Sequence, residues 1–125
     1  MIYLNTHIVV WLCTGSAKKL SRKILNLIEK TELVLILPMT LIEPRFLSEI
    51  GRVKLPAFEF LEHSRSEFGL KVCQRAFEHV ALAACSQSWT RDPFDRVIAA
   101  HAFLAKAPLV SHDRNILENF KLALH

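Results

Sequence analysis

Short apolar stretches of strand length recur along this chain, separated by longer segments whose apolar residues fall at helical spacing. That alternation is the feature that most constrains the fold. Parallel strands need a crossover segment between them, so a chain read this way builds a parallel sheet covered by helices. Ile2 to Leu4 reads as a buried strand, Thr6 to Leu12 as a short helix, and the residues around Gly15 as a loop. Ser21 is placed to cap a helix that turns Ile24, Leu25, Leu27 and Ile28 inward, and Val34 to Leu37 is the second strand. Thr40 starts a helix that runs to about Ile50 and ends at Gly51, and Pro56 precedes a helix through Phe58 to Glu67. Val72 and its neighbours give a weak third strand. Helical spacing from about Gln74 to Gln87 is followed by the clearest helix, opened by Asp92-Pro93 and ending near Ala105. A strand from Leu109 to Ser111, a short helical turn from Asn115 to Leu117 and a last strand from Leu122 to Leu124 complete the order.

With 125 residues and 51% hydrophobic content, residues 1–125 have the size and the apolar mass of a single domain. No repeat or linker divides them, and no Ser, Gly, Pro or Gln tract loosens them. The apolar runs fall well short of the roughly 18 residues that cross a bilayer, and no basic flank precedes the first of them. The expectation is a soluble cytoplasmic protein with no membrane partner. Cys13, Cys73 and Cys85 are odd in number and widely spaced, which suits neither a disulfide framework nor a zinc site, so they read as small core residues. Sixteen basic residues against 12 acidic ones give a net charge of +4, a modest bias toward an anionic partner.

Four polar residues occupy equivalent places in this plan: Asn5 after the first strand, Glu43 soon after the second, Asp95 at the start of the late helix, and Asp113 after a late strand. In an open parallel sheet, ligands gather outside the carboxyl ends of the strands, where residues distant in sequence converge. Each of the four, taken singly, is as well explained by helix capping. Asn5 and Asp113 are good N-caps, Thr40 with Glu43 spells a capping box, and Asp92 with Asp95 has similar spacing around Pro93.

The order of motifs carries more than the separate residues. Asn5-Thr6-His7 follows a strand and Leu41-Ile42-Glu43 opens a helix. Asp92-Pro93-Phe94-Asp95-Arg96-Val97-Ile98-Ala99-Ala100 leads to Pro108-Leu109-Val110-Ser111-His112-Asp113. This arrangement resembles the PIN-domain family, especially ribonuclease toxins of the VapC type, over essentially the whole chain. The resemblance implies a PIN-like three-layer α/β/α fold with a central, mainly parallel sheet. It also implies a magnesium- or manganese-dependent endoribonuclease that cuts RNA, forms a homodimer and is blocked by a cognate antitoxin in a bacterial toxin-antitoxin system. The catalytic and metal-binding positions carried over are Asn5, Glu43, Asp95 and Asp113. Such proteins have aspartate at the first of them, and here it is Asn5. An amide oxygen can coordinate a cation but brings no charge and cannot take a proton from an attacking water. A natural loss of activity, an engineered silencing change and a variant site that still works are all open readings.

Thr6 and Ser111 are candidates for positioning a phosphate or water, with core or capping roles equally open. Arg91, Arg96 and Arg114 flank the acidic motifs and offer a route for the substrate backbone, and Arg45, Arg52 and Lys54 extend the same basic surface. His7, His101 and His112 lack the close two-histidine spacing of a zinc site and read as structural, as do Trp11 and Trp89. The helices of residues 40–67 are candidate dimer and antitoxin surfaces. The rival reading is a catalytically inactive PIN domain that binds protein or RNA; a weaker one is cleavage of DNA in place of RNA.

Overall fold

The computed structural model describes residues 1–52, 62–63 and 66–125. Five strands, β1 (Ile2–Leu4), β2 (Val34–Ile36), β3 (Lys71–Val72), β4 (Leu109–Val110) and β5 (Ala123–Leu124), form one sheet in the order β3-β2-β1-β4-β5. Every pairing is parallel, and β1 lies at the centre, with Tyr3 opposite both Leu35 and Leu109.

The helices are α1 (Thr6–Cys13), α2 (Arg22–Lys30), α3 (Pro38–Glu49), α4 (Phe77–Cys85), α5 (Pro93–Ala105) and α6 (Arg114–Asn119), with a 3-10 turn at Ala17–Lys19. Alternate strand residues point to opposite faces, and the two main cores divide accordingly. Ile2, Leu4, Val34, Ile36 and Val110 pack with Ile8 and Val9 of α1 and Ile24 and Ile28 of α2 on one side. Tyr3, Leu35 and Leu109 pack with Ile98, Ala99 and Ala102 of α5 and Ile116 of α6 on the other. The result is the expected three-layer α/β/α arrangement. A smaller cluster of Val80, Ala84 and Ala100 seats α4 on α5, where small side chains let the two helices approach closely.

Three local expectations change. Helix α3 begins at Pro38, two residues earlier than expected, with Leu37 as its N-cap. A proline at the first helical position removes an N–H that would be orphaned there anyway. Thr40 therefore lies in the first turn, where its Oγ1 accepts from the Leu37 N–H at 3.4 Å, and the expected Thr40–Glu43 capping box does not form. Among the cysteines only Cys73 is a buried core residue; Cys13 is half-buried and Cys85 is exposed. Most of the helix expected at residues 58–67 lies outside the described residues, as does Lys54. Among the described residues, no helix is long and apolar enough to cross a membrane.

Candidate metal centre

The chain runs from β1 outward through β2 to β3, then returns to the other side of β1 to lay down β4 and β5. Strand order therefore reverses between β1 and β4, and the crevice outside the carboxyl ends of such neighbours is where open α/β sheets take ligands. Asn5 leaves β1 and Ser111 leaves β4 at this point. A cavity of about 310 Å³ opens there, lined by Asn5, Glu43, Asp92, Asp95 and Asp113, with His7 and Arg52 also on its wall. Phe46, Phe94, Leu47 and Ile50 supply an apolar side. The Phe46 and Phe94 rings lie 5.6 Å apart.

All four expected site residues reach this cavity, and the local hydrogen bonds show how two of the acidic groups escape capping duty. In a capping box, an acidic third residue accepts from the N-cap's own N–H. At α5 the Asp92 N–H instead goes to Thr90 Oγ1 at 3.1 Å, while Asp92 Oδ1 accepts from Phe94 and Asp95 at 2.8 and 3.4 Å. The Asp95 carboxylate is left to face the cavity. At α3 the N-cap is Leu37, whose N–H is met by Thr40 three residues on, so Glu43 lies one turn further into the helix, away from the capping positions. Asp113 does cap its helix, accepting from the Ile116 N–H at 3.0 Å, and its own N–H goes to Ser111 Oγ. Asn5 caps α1, with Oδ1 accepting from the Thr6 N–H at 2.7 Å; that backbone donor fixes the amide orientation, so Nδ2 points to Ser111 Oγ at 3.0 Å. Thr6 and Ser111 are both fully buried beneath the cavity.

The electrostatics of the pocket are those of unneutralised carboxylates. Burial pushes the Asp95 pKa up to about 7, assisted by repulsion from Asp92, Asp113 and Glu43 in that order. Glu43 is raised as well, by burial first and by Asp92 and Asp113 after it, while the nearby Thr6 hydroxyl acts in the opposite sense. Thr6 and Glu43 approach without meeting hydrogen-bond geometry: Thr6 Oγ1 and Glu43 Oε1 are both buried with no partner. Desolvation lowers the pKa of His7, against the pull of Asp113.

Oxygen donors at a site that resists their ionisation suit a hard divalent cation, and the orphaned Glu43 Oε1 is an acceptor that such an ion would satisfy. The shell is not closed. Among the described residues, no three His, Cys, Asp or Glu side chains lie close enough together to hold a metal ion.

The expected substrate contacts fall elsewhere. Arg96 is half-buried and its Nε donates to the Thr90 carbonyl at 2.7 Å, fastening the loop that holds Asp92. Arg91 and Arg114 are exposed beyond the cavity lining, Arg114 with Glu118 at 3.9 Å. The cavity wall is instead given its basic groups by Arg52 and His7. Arg52, expected only as an extension of the basic surface, reaches the wall through the turn after α3, and His7, read from the sequence as structural, lines it too.

Fold and pocket together define an α/β protein with an acidic, oxygen-lined cleft at the switch point of a parallel sheet. The model of the PIN domain matches residues 2–121, and the chain belongs to the PIN domain family. None of the curated proteins matches the chain. Among solved structures, it is similar to a chain of VapBC2 from Rickettsia felis, in a crystal structure of VapBC2 bound to a DNA fragment from its promoter. The similarity has a TM-score of 0.66 at 20% identity and covers 100% of this chain and 98% of the other.

Proposed function

We propose that this PIN domain is a divalent-metal-dependent endoribonuclease of the VapC type, its hydrolysis of RNA reduced or lost because position 5 is Asn. PIN domains are typically nucleases that use divalent ions. The observation that carries the proposal is the convergence of Glu43, Asp95 and Asp113 from three separate elements on one cavity, with neither Glu43 nor Asp95 engaged in a helix cap.

In this reading Glu43, Asp95 and Asp113 hold magnesium or manganese, directly or through water. The bound cation would supply a Lewis acid that acidifies an attacking water and offsets charge building on the phosphodiester. Asn5 offers only an amide oxygen already engaged by Thr6, so it adds neither charge nor proton-accepting power. Arg52 and His7 face the same space and can meet a substrate phosphate, with Arg91 and Arg114 outside it along a path for the rest of the backbone. The partners in this reading are RNA, a second copy of the chain and a cognate antitoxin, in the cytoplasm. Ile42 and Phe46 of α3 and Ile50 at its C-cap are large exposed apolar residues and fit a partner surface.

A second reading, an inactive PIN domain that binds protein or RNA, is favoured by one observation: the Asn5 amide is satisfied at both ends, by Thr6 and Ser111. Manganese titration by calorimetry separates the two. Replacing Asn5 by Asp adds a full ligand charge, so N5D is expected to bind about 10- to 100-fold more tightly than the unmodified chain. Asp95→Ala should abolish measurable binding. Equal affinity in all three proteins would leave the nuclease reading without its metal.

A further inference from the structure

A second, larger cavity of about 600 Å³ lies at the amino-terminal edge of the sheet. Along α5 the two cavities are reached eight residues apart, by Asp95 and Phe103, about 12 Å of helix. Its body is apolar, built from Trp89, Leu104 and Phe120, with Phe103 and Leu122 at the mouth 54% and 42% exposed. The Trp89 Nε1–H donates to Gln87 Oε1 at 2.8 Å, so the polar edge of the indole is already satisfied and its ring is free to act as apolar wall. No acidic residue lines the cavity, but Lys106 and Lys121 do, and among the described residues neither has a carboxylate at ion-pair distance.

Lys106 is the more telling of the two. It ends α5 in the left-handed conformation, with φ 52° and ψ 40°, and among the described residues it is the only non-glycine with positive φ. Helices usually place glycine there, because a Cβ is disfavoured in that conformation. Favourable interaction with the helix C-terminus accounts for a cation near this position, but not for its use of the strained residue itself. An exposed lysine kept at that residue, lining a largely apolar cavity, points to a ligand charge.

We propose that this cavity binds a small amphiphilic carboxylate, with an apolar body of medium-chain fatty acid size. The body rests on Trp89 and Phe120, and the carboxylate is met by Lys106 and Lys121. The volume falls within the roughly 300–1,000 Å³ typical of small-molecule sites, and the lining of apolar walls with a few polar groups is theirs as well. Nothing in this proposal depends on the acidic pocket.

Calorimetric titration of the full chain with decanoate, below its micelle concentration, tests it. Decanoate should bind saturably at one site per chain, whereas decylamine, with the same tail and the opposite charge, should not. Lys106→Gly keeps the left-handed backbone while removing the ammonium, and should weaken decanoate about tenfold, the loss of one charge-assisted contact. Phe103→Asp places a like charge at the mouth and should weaken it at least as much. The proposal is overturned if decanoate gives no saturable heat, if decylamine binds equally well, or if K106G and F103D bind decanoate as the unmodified chain does. It is equally overturned if the chain self-associates in sedimentation through a contact that F103D abolishes and decanoate leaves untouched, since the cavity would then be an interface between copies.

Discussion

At Asp95, burial and three neighbouring acidic groups all oppose the charge, and its proton is retained to about pH 7. An unfolded chain releases that proton near 3.8, so the metal-free fold loses stability as pH rises through this window. Cation binding must displace the same proton. Manganese affinity of N5D is therefore expected to fall about tenfold per pH unit below 7, which titrations at pH 5.5 and 8 would reveal; equal affinity at the two would contradict it. His101 behaves in the opposite sense. It is fully buried with neither ring nitrogen partnered, and desolvation, aided by Arg75, lowers its pKa to about 4. The stability present above pH 6.5 is lost as pH falls toward 4, by about 3 kcal/mol. His101→Leu should remove that acid sensitivity, seen as a urea midpoint that no longer drops between pH 7 and 4.5. That Asn5, Glu43, Asp95 and Asp113 would reach one cavity was legible from their places after strands and near helix starts in a parallel sheet. That Thr90 would take the Asp92 N–H and leave Asp95 free, and that α3 would start at Pro38 and move Glu43 out of capping range, was not, since both depend on backbone geometry that spacing does not encode.

Helix ends show what local chemistry decides and where tertiary demands override it. Ser21, Asp92 and Asp113 cap the helices their positions imply. Helix α3 departs, because Pro38 can open a helix and Thr40 serves better inside its first turn than before it. Strand β3 is only two residues long, too short for a clear periodic signal, and its place is set by pairing with β2. At the other end of α5, the Lys106 N–H meets the Phe103 carbonyl and the Ala107 N–H reaches back to Ala102, a closure that asks for glycine at position 106. Lys106→Gly is expected to raise unfolding stability by about 0.5 kcal/mol, as relief of the left-handed strain slightly exceeds the added chain entropy. Urea denaturation checks this, and a loss of stability would show that the lysine side chain contributes packing that outweighs its strain.

For the whole molecule, the alternation of strand-length and helix-length segments already specified a parallel α/β sheet, and it is the sheet order that turns the four scattered polar residues into one site. That order, with β1 central and β4 beside it, follows from long-range pairing that no window of sequence reports. The second cavity was invisible for the same reason: Trp89, Phe103 and Phe120 come from three separate segments that no window of sequence joins. The central claim is that this architecture is a metal-dependent ribonuclease held back at one position. It is tested most directly by incubating RNA with the unmodified chain, N5D and the N5D/D95A double variant, with manganese and with chelator. The account predicts manganese-dependent cleavage by N5D at least tenfold faster than by the unmodified chain, abolished by chelator and by the added Asp95→Ala. Cleavage that is equal in all three proteins, or absent from N5D while manganese is bound, would contradict it.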